Sequence, residues 1–306
     1  MGLMFFLAGY FIPSSLERKG AHKFSADRLK KLGAPALLFI LVIGPGIIYS
    51  LYWNNSSFLG YYSAYLLDPM DYESGPLWFA IALLVFTLVY VMLRERVPKI
   101  RARAYGNREL FALGIGLALG SFLMRLVFPI GSAIWNMQVP FFFQYIALFA
   151  IGIAAKRNGW LEMLTDNMGK TWTVAAIVLA IPVWPILVLA GTASGEDITT
   201  FMGGLHWQAL ALALWEQMFC VAASVMLLVW YRRRMNKMTK TTGFLSRNSF
   251  AVYAMHAPIL IAVALLLAPV GLPVIVKFLA AVAMTVTITF MVCDTLRRLP
   301  VIRDIF

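Results

Sequence analysis

Long apolar runs alternate with short polar or charged segments along the whole chain. The runs are too long for strands and carry no polar face at helical spacing, which is the pattern of helices surrounded by lipid. Nine runs stand out: Met1–Pro13, Ala34–Trp53, Pro76–Leu93, Leu110–Ile130, Val139–Ala155, Thr171–Ala190, His206–Trp230, Phe250–Pro269 and Val274–Asp294. A spanning helix needs about 20 apolar residues. Eight runs come near that length, and the first is short and has no polar flank before it. The pattern predicts an all-α fold, a polytopic transmembrane helix bundle of nine spans, read as a single domain over residues 1–306. Gly44-Pro45-Gly46 interrupts the second span, and Pro182 and Pro185 the sixth, where helices loosen or kink. Gly116 and Gly120 stand in the spacing of a helix-packing motif on the fourth.

Composition agrees. The chain is 61% hydrophobic and 13% charged, about half the charge of an ordinary soluble domain. The net charge of +12 would by itself suit nucleic acid, but the placement of the charges assigns it to the membrane. Of 26 Lys and Arg, 24 fall in five segments, each following an odd-numbered span; Arg125 and Lys277 are the two exceptions. The positive-inside rule puts those segments, and the C-terminus, in the cytoplasm. Met1 then begins outside, and a further helix upstream would complete a bundle of ten. The two cysteines, Cys220 and Cys293, lie within spans and read as packing residues. No soluble domain, signal peptide, Walker loop, dinucleotide fingerprint or Cys/His metal spacing is present. Asn54-Asn55-Ser56-Ser57 holds two overlapping sequons, meaningful only in a eukaryotic secretory pathway.

Against this background a few residues carry candidate chemistry. Glu216 is the acidic residue set deep in a span, and a carboxylate there costs about 3 kcal/mol or more unless it is satisfied. It either fixes helix packing by a hydrogen bond or serves a site by orienting a base or an acceptor hydroxyl. Arg125, towards the outer end of the fourth span, either snorkels to the headgroups or turns inward to meet Glu216 or a substrate. Lys277 is nearer its helix end, which favours snorkelling. His256 sits in the eighth span with Tyr253 one turn behind it on the same face. His206 at the outer boundary and His22 in a basic loop read as solvated.

Three stretches resemble the acyltransferase-3 family of integral membrane acyltransferases. The first is the Phe5–Ile12 run FFLAGYFI with Phe24, Arg28, Lys31, Leu32 and Pro35, where Lys31 stands in place of the family's second arginine and loses its bidentate fork. The second is Gly75-Pro76-Leu77-Trp78-Phe79, with Gln144–Gly152 further on. The third is Ser246–Pro258, SRNSFAVYAMHAP. The resemblance implies an enzyme, a membrane O-acyltransferase taking an acyl group, commonly acetyl, from cytoplasmic acyl-CoA (acetyl-CoA) to a hydroxyl of a carbohydrate or other small acceptor. It also implies a catalytic Arg and His on a helix preceding Phe5 that this sequence lacks. Arg28, Lys31 and Tyr253 then become donor contacts, and Glu216, Arg125 and His256 the expected wall of the catalytic pocket, with no metal. The expected setting is a bacterial inner membrane. The competing expectations are a non-catalytic bundle, a transporter or lipid-binding protein, to which the interrupted second and sixth spans are suited, or an inactive truncated acyltransferase.

Overall fold

The structure, a computed structural model, describes residues 1–52, 57–96, 105–235 and 237–299. Among the described residues ten longer helices carry the fold: α1 (Gly2–Lys19), α2 (Ala21–Tyr52), α3 (Phe58–Leu67), α4 (Gly75–Leu93), α5 (Asn107–Val127), α6 (Val139–Asn158), α7 (Asp166–Ala193), α8 (Trp207–Arg234), α9 (Lys240–Leu267) and α10 (Val274–Leu296). A two-residue-per-strand hairpin, β1 (Ala133–Ile134) and β2 (Met137–Gln138), precedes α6. Among the described residues eight helices, α2 and α4 to α10, are long and apolar enough to cross a membrane. Nine spans were expected. The difference is α1, which ends in Glu17-Arg18-Lys19. Its apolar part, at 1.5 Å per residue, reaches about 22 Å, short of a hydrocarbon core of about 30 Å.

Several boundaries run past the apolar runs. The basic segment after α1 is helical and continuous with the second span, so α2 begins at Ala21 rather than Ala34. Arg and Lys are good helix formers, and a spanning helix continues readily into water through them. The polar loop expected before the third span contains α3, capped at its start by Ser57, whose hydroxyl accepts from the Gly60 amide at 3.2 Å. Trp53, the Asn54-Asn55-Ser56 part of the sequon stretch, and the basic residues Lys99, Arg101, Arg103 and Arg303 lie outside the described residues.

The chain divides into two compact units. The first comprises Met1–Phe24, Phe86–Ile134 and Gln138–Lys237. Here α1 packs along α6, and α8 packs on α5 and α7. Gly9 and Gly152 explain the first contact. A Cβ on Gly9 would strike the Phe149 carbonyl, and one on Gly152 the Phe6 carbonyl, so each helix lays its backbone on the other. The expected Gly116/Gly120 motif does not work as a pair. Gly120 receives the Phe143 ring, Gly116 faces open space, and Gly114 instead admits the Met218 side chain of α8. Leu110, Leu117, Leu148, Trp172, Val221 and Val225 form the core beneath.

The second unit comprises Ser25–Val85, Trp135–Met137 and Met238–Phe306. Here α9 packs on α10 and on the first turn of α4. The interruption at Gly44-Pro45-Gly46 does not end α2. The chain passes through a π-turn at Phe39–Ile43 and continues as helix. Pro45 has no N–H for the carbonyls one turn before it, and α3 supplies the missing donors. The Tyr62 hydroxyl donates to the Leu41 carbonyl at 2.9 Å, and that of Tyr65 to the Ile40 carbonyl at 2.9 Å. Tyr65 also accepts from the Glu73 amide at 3.2 Å. Burial raises its pKa above the ordinary phenol value, so it stays a donor. Gly75, with φ 49°, turns the chain into α4 where the Phe39 ring occupies the place of a Cβ. At the hairpin tip Trp135 and Asn136 both have positive φ, as a type I′ turn requires. The Trp135 indole donates to the Pro69 carbonyl at 2.8 Å, and its own carbonyl accepts from Ser74 at 2.5 Å.

A candidate active site at a buried arginine–glutamate pair

Helices α5 and α8 run antiparallel. The Arg125 carbonyl, near the end of α5, accepts from the Gly204 amide at 3.4 Å just before α8 begins, while Gly114 meets Met218 further along. Long helical side chains lean towards their own N-terminus. Arg125 and Glu216 therefore lean towards each other across the antiparallel pair, and Arg125 Nη2 donates to Glu216 Oε2 at 2.5 Å. Arg125 is 0% exposed and Glu216 25%. The two readings of Arg125 thus resolve: it turns inward. Its guanidinium also stands over the Phe141 ring, 5.0 Å from the centroid. Gly203 and Gly204 let the chain lie against this end of α5, because a Cβ on Gly203 would come within 2.6 Å of the Arg125 carbonyl.

The pair is not saturated. Arg125 Nε and Nη1 are buried and have no hydrogen-bond partner among the described residues. Neither does the amide of Gln217, next to Glu216, nor the hydroxyl of Ser121, one turn before Arg125; both residues are 0% exposed. Buried polar atoms are normally satisfied, so the two spare nitrogens of Arg125 are where a ligand or water would complete the set. One turn along α8 from Glu216, Cys220 Sγ accepts from Gln144 Nε2 at 3.0 Å. Tyr145 stacks on Phe5 at 4.6 Å. Across the π-turn Leu179–Val183, which contains Pro182, the Leu179 carbonyl accepts from the Trp184 amide and also from the Trp215 indole at 2.8 Å. Trp215 stacks on Trp184 at 4.3 Å, which fixes α8 beside Glu216. Beyond Cys220 an apolar cavity of about 60 Å³ continues between Phe6, Leu148, Val221 and Val225 towards stacked Tyr105 and Trp160.

Gln144, Gln217 and Ser121 were not singled out from the sequence for chemistry. The legible signal was an amide in an apolar run directly beside Glu216.

Of the other candidates, Tyr253, His256, Arg28, Lys31 and Lys277 belong to the second unit, and His22 and His206 to the first. The Tyr253 hydroxyl donates to the Pro76 carbonyl, and its ring lies edge-on to Phe79 at 6.1 Å. Two of the three motif stretches, Gly75–Phe79 and Ser246–Pro258, therefore meet here. His256 is exposed on α9 with Nδ1 2.7 Å from the Tyr253 carbonyl. Arg28 is half-buried at the end of the first α-helical part of α2, and Lys31 is exposed in the π-turn Leu29–Gly33 that follows. Lys277 donates from the first turn of α10 to the Ala268 carbonyl at 3.2 Å. His22 and His206 are exposed.

No curated protein and no solved structure matches this sequence. The acyltransferase-3 family model, described as an acyltransferase domain, matches residues 1–294. The match runs through α1 with Gly9, through Arg125 and Gln144, and on past Glu216, Tyr253 and His256. An all-helical chain with eight apolar helices long enough to span a bilayer, matched over almost its whole length, belongs to the acyltransferase-3 family of integral membrane acyltransferases.

Proposed function

We propose that the protein transfers an acyl group, acetyl in the simplest case, from cytoplasmic acyl-CoA to a hydroxyl of a carbohydrate or other small acceptor. The observation that carries this reading is the Arg125–Glu216 pair, set within apolar helices, with two arginine nitrogens, Nε and Nη1, that have no partner among the described residues. Glu216, held by Arg125 Nη2, orients the acceptor hydroxyl or the base that deprotonates it. The hydroxyl oxygen attacks the thioester carbon, the C–S bond breaks, and coenzyme A leaves as the thiol carrying the hydroxyl's proton. Arg125 Nε–H and Nη1–H face the negative charge that develops on the thioester oxygen. A preorganised donor of this kind is worth roughly 10²–10³-fold in rate.

The remaining roles follow the family resemblance. His256 and Tyr253 contact the donor or substrate, and Arg28 and Lys31 bind the coenzyme A phosphates through charge-assisted hydrogen bonds. The basic segments after α1, α4, α6, α8 and α10 support a cytoplasmic donor side and a cytoplasmic C-terminus, in what we read as a bacterial inner membrane.

The test uses radiolabelled acetyl-CoA and the purified full-length protein, with thioester consumption and acceptor labelling as readouts. Glu216→Gln lowers transfer at least about 100-fold, Arg125→Lys lowers it less, and Gly116→Ala leaves it intact. Unchanged transfer in Glu216→Gln overturns the assignment.

A further inference from the structure

We propose that the second unit carries a binding site for one anionic phospholipid, set between α2, α9 and α10. A cavity of about 330 Å³ runs there past Pro35, Phe39, Leu77, Ala254 and Cys293, and Arg297 lines it at one end. The volume is more than twice the roughly 150 Å³ that suffices to hold benzene in an engineered apolar cavity. Its wall along α2 extends from Ala34 to Ile43, about 14 Å at a helical rise, enough to lay an alkyl chain along. Apart from Arg297 the lining is apolar or thiol, so water finds too few partners to fill it. Left empty, it forfeits the dispersion contacts of its whole wall.

Arg297 identifies the headgroup. Its Nη1 donates to the Arg247 carbonyl and, at 3.3 Å, to Asn248 Oδ1, which fixes the guanidinium against the start of α9. Its Nε is buried and has no partner among the described residues. The nearby carboxylate, Asp294, is paired with Arg298 at 2.8 Å. A fixed cation with a spare N–H at the mouth of an apolar slot calls for an anion whose alkyl chains follow it without buried hydrogen-bond donors. A phospholipid meets that demand, because only ester groups, which have no donor to satisfy, stand between its phosphate and its chains. A coenzyme A thioester does not, because it places two amides between its phosphates and its acyl chain, and the lining offers them no partner.

The experiment is native mass spectrometry of the full chain released from nanodiscs of mixed phosphatidylglycerol and phosphatidylcholine. Wild type retains a single phosphatidylglycerol, at least fivefold over phosphatidylcholine. Arg297→Gln removes the preference, and Leu38→Trp or Ala254→Leu, which fill the slot and keep every charge, reduce retention of phosphatidylglycerol at least fivefold. Arg298→Gln, which alters the neighbouring ion pair only, behaves as wild type. Each variant is compared with wild type as a monodisperse peak in size-exclusion chromatography. Equal retention of the two lipids by wild type overturns the proposal, as does unchanged retention in both the Arg297→Gln and the slot-filling variants. Displacement of phosphatidylglycerol by decanoyl-CoA or oleate at equal concentration also overturns it, and assigns the slot to those ligands.

Discussion

Arg125 and Glu216 are 91 residues apart in the chain, and their side chains meet at 2.5 Å with the arginine wholly buried. Such a pair contributes little net stability, because desolvation offsets most of the attraction; breaking it from one side is what costs. Glu216→Gln alone should therefore destabilise the first unit by about 3–5 kcal/mol. Adding Arg125→Met should recover much of that loss, since no charge is then left buried without a partner. Thermal unfolding in detergent of the two single variants and the double variant measures the coupling. Additive losses would show that the two groups do not act as a pair.

Gly9 and Gly152 hold the α1–α6 contact by having no side chain. Gly152→Ala should cost about 1–3 kcal/mol through overpacking against the Phe6 carbonyl. Gly116→Ala, in open space, should be neutral or stabilise by up to about 1 kcal/mol, the helix-propensity gain. A melting-temperature comparison of the two settles the point, and equal effects would contradict the packing described.

Tyr65 donates to a carbonyl of the turn that Pro45 leaves short of a backbone donor. Tyr65→Phe should cost about 1–3 kcal/mol, the penalty for an unsatisfied buried group. In a Pro45→Ala background a backbone N–H returns, and the same substitution should cost clearly less. A double-mutant cycle by denaturant unfolding reads this directly.

Asp197 opens the turn Ile198–Phe201 and accepts from the Thr199 amide at 2.7 Å. That hydrogen bond is the largest of the causes that hold its carboxyl below the usual carboxylate range. A depressed folded-state pKa stabilises above the unfolded value and is lost as pH falls through the folded one. Hydrogen exchange at the Thr199 amide should accordingly be protected at neutral pH and lose that protection in acid, below the ordinary aspartate pKa. Asp197→Asn should make the protection insensitive to pH.

The sequence by itself determined the solvent. Uncharged runs near 20 residues can satisfy their backbone only as helices in lipid, so the class of fold, most of the spans and a basic face were legible without coordinates. It also marked Glu216 and Arg125, because a charge in such a run has no cheap explanation. Tertiary structure alone decided which way Arg125 points, since snorkelling and inward pairing use the same residue at the same depth and differ only in what α8 presents to it. It decided too that Gly9 pairs with Gly152 while Gly116 faces nothing, because a spacing of four names a helix face and not its neighbour. The continuation of α2 past Pro45 belongs to the same class: whether a proline ends a helix depends on who supplies the missing donors, and Tyr62 and Tyr65 of α3 do so from a segment that reads in sequence as a loop.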